Sequence, residues 1–112
     1  TEIVKTGGAN VSPIEIDAAI ATFPGVKIAQ TVGVPHPTLG EMVVSCIVAQ
    51  DGVTLEAEAI RRFLKERLAS FKVPREILFL REDELAVTGS GKVKFKLLRE
   101  LAVARLAARR ET

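Results

Sequence analysis

Eight consecutive residues, Met42 to Ala49, carry apolar or small side chains at both odd and even positions. Successive side chains of an extended strand point to opposite faces, so a run of this kind is stable only where both faces are covered, and it reads as the central strand of a sheet. The segment before it alternates, with Val26, Ile28, Val32 and Val34 on one side, and the short loop HPTLGE joins the two. His36, the one histidine, sits between Pro35 and Pro37 in a turn setting with no catalytic partner. Asp51-Gly52 closes the second strand.

Other elements follow from start and stop signals. Ile3 to Lys5 and Ala9 to Val11 flank Gly7-Gly8 as a short hairpin. Ser12, Pro13 and Glu15 form a capping box for a helix, with Val11 and Ile16 as its hydrophobic staple and Ile16, Ala19, Ile20 and Phe23 as its buried stripe; Pro24-Gly25 ends it. Thr54, Glu56 and Glu58 open a second helix with Ile60, Phe63, Leu64 and Leu68 on its apolar face, and Pro74 stops that element. Ile77 to Leu80 reads as a third strand, and Arg81 to Gly91 as a polar loop of eleven residues without periodicity. Phe95, Leu98, Leu101, Ala102 and Leu106 place a helix at the C-terminus. The order predicts an α+β fold: a small, mostly antiparallel three-stranded sheet with an N-terminal hairpin and about three flanking helices, the helices lying on one face.

At 112 residues the chain is one domain, too small to hold separate nucleotide and substrate pockets. Sixteen Lys+Arg against fourteen Asp+Glu leave a net charge of +2, too balanced for a dedicated nucleic-acid binder. The excess is local: seven cations and one acid, Glu100, fall between Lys92 and Arg110, where the plain structural role is a solvated helical face. Cys46 is the one cysteine and lies inside the apolar run, as a small hydrophobe suited to a reducing, cytoplasmic setting. There is no apolar stretch long enough to span a membrane, and no Cys or His pair at metal spacing. The chain starts at Thr-Glu-Ile-Val with neither cap nor turn, as a piece of a longer polypeptide would.

One stretch has the composition of an active-site loop: Thr88-Gly89-Ser90-Gly91-Lys92-Val93. Glycines let a backbone come close to a ligand, Thr and Ser offer hydroxyls, and Lys is a mobile point charge suited to phosphate or carboxylate oxygens. Taken alone, the same residues describe a surface lysine in a Gly/Ser-rich turn.

Three ordered blocks carry a resemblance. Ile3 to Asp17 (IVKTGGANVSPIEID) is the first, Val32-Gly33-Val34-Pro35 with Gly40-Glu41 the second, and Phe71-Lys72-Val73-Pro74 followed by Leu85 to Val93 the third. At this spacing they resemble the small C-terminal domain of the adenylate-forming enzymes, which include acyl-CoA synthetases, luciferases and peptide-synthetase adenylation domains. The resemblance implies a reaction in which a carboxylic acid is activated by ATP to an acyl-adenylate and is then transferred to the thiol of coenzyme A or of a carrier protein. The small domain serves both half-reactions by rotating on a large N-terminal adenylation domain. It implies that Lys92 is the catalytic lysine of adenylation, in a loop of Thr88, Gly89, Ser90 and Gly91 that meets ATP and the adenylate. It implies that Gly7 and Gly8 leave room for the thiol arm of coenzyme A, and that Phe71, Lys72 and Arg75 lie near its nucleotide end. Equally, Gly7 and Gly8 make a hairpin turn, Phe71 a core residue and Lys72 a surface charge. ATP's Mg and the adenine and acyl pockets fall to the large domain.

The sequence departs from the family at Ala86, where proline is usual, at Ala9, where an acid or amide is usual, and at Phe95, where a basic residue is usual; the hinge falls at Thr1. The resemblance therefore implies that residues 1–112 are the mobile C-terminal domain of an ATP-dependent fatty acid–CoA ligase, inactive when isolated from its adenylation domain. The version of the first block found here is nearer to CoA ligases than to the runner-up, an adenylation enzyme that loads a carrier protein. A noncatalytic binding module using the basic last helix is the reading from another class; five Phe with neither Trp nor Tyr offer little for stacking RNA bases.

Overall fold

A computed structural model describes residues 2–85 and 92–110, the side chains of Lys92 and Val93 excepted. Strands β1 (Val4–Thr6) and β2 (Ala9–Val11) form the hairpin, followed by α1 (Pro13–Ala21), β3 (Val26–His36), β4 (Gly40–Ala49) and α2 (Ala57–Lys65). A 3-10 turn (Ser70–Lys72), β5 (Glu76–Phe79), a single helical turn α3 (Glu82–Leu85) and α4 (Lys92–Arg110) complete the order.

The apolar run is the centre of the sheet. β4 pairs along its length with β3, antiparallel from Val26↔Ala49 to His36↔Gly40. Its other edge is shared: β5 runs parallel to it from Val44↔Glu76 to Ile47↔Phe79, and β1 joins antiparallel at Thr6↔Gly40. The N-terminal hairpin is thereby continuous with the sheet, which has five strands among the described residues, with β4–β5 the parallel pairing and the others antiparallel.

Helices lie on both faces, not on one as the sequence reading expected. Met42, Val44, Cys46 and Val48 pack with Leu98, Ala102 and Leu106 of α4, while Val43 and Ile47 pack with Ile16 and Ile20 of α1 and Ile60 and Leu64 of α2. The alternation of β4 requires this, because burying one set of its side chains leaves the other needing its own cover. Ser45, the polar interruption in the run, is fully buried and shares a 2.7 Å hydrogen bond with the hydroxyl of Thr31 on β3. Each hydroxyl thus meets the need of the other. Burial pushes the Cys46 thiol up to about 12, with the charge of Asp17 adding to the effect, so Cys46 behaves as a hydrophobe.

Two local expectations change. Ser12 is the N-cap of α1 and Pro13 opens it, but no side-chain cap bond forms; the Glu15 carboxylate instead pairs with Lys72 at 3.0 Å. The staple is present, with Val11 and Ile16 fully buried in one cluster. At α2 the N-cap is Glu56 rather than Thr54, again without a side-chain bond. The loop read as aperiodic contains α3 in its described part, since Leu85 drops into the core beneath α4 and the Glu84 carboxylate accepts the Arg81 N–H at 2.8 Å. Residues 86–91 of that loop lie outside the described residues.

Candidate functional site

The two glycines of the first block form a two-residue turn between Thr6 and Ala9, with φ of 57° at Gly7 and 85° at Gly8. Both values lie where a side chain is strained, so the turn itself requires glycine. The Gly7 N–H donates to the Leu39 carbonyl at 2.9 Å, and a Cβ on Gly7 would lie 3.4 Å from the Leu39 side chain. Gly8 is different: a Cβ there would meet nothing within 4 Å.

His36 and the second block explain how this hairpin is held. The His36 Nδ1 accepts the N–H groups of Thr38 (3.2 Å) and Leu39 (3.1 Å), which shapes the loop presenting the Leu39 carbonyl. Glu41 lies across Gly33, where a Cβ would come within 2.8 Å of the carboxylate, and Glu41 Oε1 accepts the Lys5 N–H at 2.9 Å. The sequence reading found Gly33 and Glu41 only as parts of a motif. Their spacing on neighbouring strands, at Gly33↔Val43 and Pro35↔Glu41, was the signal that a carboxylate would cross over a position without a side chain.

A groove of about 340 Å³ opens beside the hairpin, lined by Gly7, Leu39, Val43, Phe71, Val73 and Arg75 among others. Three of the five residues expected to meet coenzyme A are therefore brought to one place, while Gly8 and Lys72 do not line it. The Phe71 ring is half-exposed and not a core residue. Lys72 is tied to Glu15, with its ammonium 5.8 Å from the Phe71 ring centroid. Arg75 is anchored through its backbone, whose N–H donates to the Val43 carbonyl at 2.9 Å, leaving its side chain exposed. A ring face and an exposed guanidinium at one groove suit an anionic ligand with a planar ring, and the open space lies at Gly8, the next residue of the turn.

Lys92 is the first residue of α4, and Thr88, Gly89, Ser90 and Gly91 lie outside the described residues. Val43 and Val73 of the groove belong to the α1/α2 face of the sheet, whereas α4 packs on the opposite face. Among the described residues, Gly7, Phe71 and Arg75 line the groove, and the helix that begins at Lys92 packs on the opposite face of the sheet. Along α4, the Arg105 guanidinium pairs with Glu84, and Arg109 pairs with Glu76 at 3.2 Å and donates to the Ile77 carbonyl at 3.0 Å. Among the described residues no group of three His, Cys, Asp or Glu side chains is placed to hold a metal, and no helix is long and apolar enough to cross a membrane.

The sheet with its hairpin and helices, together with a match of residues 15–92 to the AMP-binding enzyme C-terminal domain, shows that the chain belongs to that family, the C-terminal domains of adenylate-forming enzymes. The relatives it resembles include CoA ligases. It is 44% identical over 95 residues to the 3-[(3aS,4S,7aS)-7a-methyl-1,5-dioxo-octahydro-1H-inden-4-yl]propanoyl:CoA ligase of Rhodococcus jostii, covering 85% of this chain and 18% of that protein. It is 36% identical over 97 residues to the oxalate–CoA ligase of Arabidopsis thaliana, covering 87% and 18%. Among solved structures, apo MatB from Rhodopseudomonas palustris superimposes with a TM-score of 0.83 at 37% identity, covering 92% of this chain and 20% of that one. The chain thus spans about a fifth of the length of the proteins it matches.

Proposed function

We propose that this chain is the mobile C-terminal domain of an ATP-dependent carboxylic acid–CoA ligase, and that its two faces serve the two half-reactions. The observation that carries the reading is the separation of the site residues: Gly7, Phe71 and Arg75 line one groove on the α1/α2 face, while Lys92 opens the helix that covers the other face. One surface presented to a fixed active site at a time fits a domain that rotates between adenylation and thioester formation.

In the first half-reaction the carboxylate oxygen attacks the α-phosphorus of ATP and pyrophosphate leaves. The role proposed for Lys92 is to offset the charge that builds on the carboxylate and α-phosphate oxygens, with Thr88, Gly89, Ser90 and Gly91 forming the loop before it. In the second, the thiol of coenzyme A attacks the acyl carbon and AMP leaves. Gly8, with open space where its side chain would be, gives the pantetheine arm passage, and Phe71 and Arg75 receive the adenine ring and phosphates. Lys72, held by Glu15, serves the same end only after exchanging that partner. ATP, its Mg and the acyl chain are assigned to an N-terminal adenylation domain. A fatty or other apolar acid is the proposed substrate; the 44% identical relative is named for a bicyclic dioxo propanoate, the 36% identical one for oxalate.

Lys92→Ala in the full-length enzyme tests this. Removing one positioned charge-stabilising group costs about 10² to 10³ in rate, so pyrophosphate exchange should fall by that factor while supplied acyl-adenylate is still converted to acyl-CoA. Equal loss of both steps would contradict the division of labour.

A further inference from the structure

A second, larger cleft of about 830 Å³ wraps the outer edge of β3 between α1 and the N-terminal half of α4, and nothing in the preceding assignment uses it. Asp17, Gln30, Thr31, Lys94, Phe95 and Arg99 are among the residues lining it. Two buried polar atoms in this lining have no hydrogen-bond partner: Oδ1 of Asp17 on α1, and Nε of Arg99 on α4. Leaving such groups unmatched is costly, and here they are an acceptor and a donor of opposite charge across one cleft.

Arg99 has an alternative partner already. Its guanidinium carbon lies 5.3 Å from the Phe95 ring centroid, one turn back on the same helix. A charge-assisted bond to a carboxylate is the stronger of the two contacts, and the length of the arginine side chain lets it exchange one for the other. The rest of α4 explains why the exchange matters. Its C-terminal half is tied by Arg105 to Glu84 and by Arg109 to Glu76. Among the described residues no ion pair holds Lys94, Lys96 or Arg99, so the half that begins at Lys92 is held by apolar contacts of Phe95, Leu98 and Leu101.

We propose that Arg99 and Asp17 close on one another across this cleft when the enzyme adenylates its substrate, making Asp17 a positioning residue that fixes the first turns of α4 and with them Lys92. This rests on Lys92 being the adenylation lysine. In the arrangement described, burial raises the Asp17 carboxyl to about 6 against hydrogen bonding from Thr31; pairing with Arg99 lowers it. The charged and titratable groups around Asp17 are Glu2 before β1, Cys46 on β4, and Lys94, Lys96 and Arg99 on α4.

The test uses the full-length enzyme with pyrophosphate exchange and conversion of supplied acyl-adenylate measured separately. A small misplacement of a catalytic group is enough to slow a reaction strongly, so Asp17→Asn and Arg99→Gln should each lower pyrophosphate exchange roughly ten-fold. The double variant should be no worse than either single one, because one contact is lost in all three. Thioester formation from supplied adenylate should stay within about two-fold, since the proposed contact acts through Lys92. Asp17→Asn should not lower the melting temperature at neutral pH, and Asp17→Glu should restore exchange. The acid limb of the wild-type exchange profile, with its midpoint at or below about 6, should vanish in Asp17→Asn. Multiplying effects in the double variant, or parallel loss of both half-reactions, would overturn the proposal. If Lys92→Ala itself leaves exchange intact, the functional reading falls and the proposal with it. If Lys92→Ala abolishes exchange and Asp17→Asn does not change it, the proposal alone falls.

Discussion

The groove beside the glycine hairpin is fixed by main-chain hydrogen bonds, from Gly7 to Leu39 and from Arg75 to Val43, whereas the N-terminal half of α4 is held by the side chains of Phe95, Leu98 and Leu101. The hairpin is further braced by Glu41, which reaches over Gly33 to the backbone of Lys5. The difference teaches what each face can do. A groove built from backbone is a template whose shape survives changes to most of its side chains. The helix is held by apolar side chains at the half that carries Lys92 and by ion pairs at the other.

The largest effect that sharpens this comparison is at Gly8. A bulky side chain there enters the open space beside the turn, so Gly8→Leu should block thioester formation by about 10² or more while adenylation persists in proportion to the folded fraction. Because φ is 85°, the substitution also costs on the order of 1 kcal/mol or more of stability. Gly8→Asn, which tolerates positive φ better, is the control. Loss of both steps in parallel with a lowered melting temperature would reduce Gly8 to a turn residue. Next is Gly33→Ala, which places a Cβ against the Glu41 carboxylate and frees the Lys5 N–H. It should destabilise the domain by about 1–3 kcal/mol, read from denaturant midpoints, with Glu41→Ala relieving part of the loss. Strict additivity of the two would break the bracing account.

Phe71→Ala follows. The ring is half-exposed, so its removal should leave the melting temperature within a degree or two yet raise the KM for coenzyme A by roughly ten-fold, without affecting pyrophosphate exchange. The smallest effect is a pH dependence of stability. Asp17 has its folded pKa raised from 3.8 to about 6, so the stability it contributes is fully present below about 3.8 and is lost as pH rises through about 6. Asp17→Asn removes this slope. Its melting temperature relative to wild type should climb between pH 4 and pH 7, by an amount on the order of 1 kcal/mol in stability. A constant difference across that range would mean that Asp17 is already paired.

Much of this was legible in the residues. Met42 to Ala49 announced a strand with two buried faces, and β4 is that strand, although placing the helices on one face ignored what its own alternation required. Elements with strong periodicity, such as α1 with Ile16 and Ile20 and α4 with Leu98, Ala102 and Leu106, follow from local pattern. The capping box at Ser12 failed for a reason no local pattern contains: Lys72, 57 residues away, takes the Glu15 carboxylate. The single turn Glu82–Leu85 was equally invisible, since its formation depends on Leu85 finding the core under α4. For the site, Gly7, Phe71 and Arg75 were legible as motif residues, but their meeting in one groove depends on β1 joining β4. Asp17 and Arg99 carried no sequence signal as a pair, because a carboxylate on one amphipathic helix and a guanidinium on another look like ordinary solvated charges.

The central claim is that the two faces of the domain divide the two half-reactions. Its most direct test is a crossed measurement on one full-length preparation: pyrophosphate exchange, and thioester formation from supplied acyl-adenylate, for Lys92→Ala and for the double variant Phe71→Ala/Arg75→Ala. The account predicts opposite patterns, with Lys92→Ala losing about 10² to 10³ in exchange and little in thioester formation, and the groove variant losing roughly ten-fold or more in thioester formation and little in exchange. If both variants depress both half-reactions by the same factors, the two faces do not divide the work and the account is wrong.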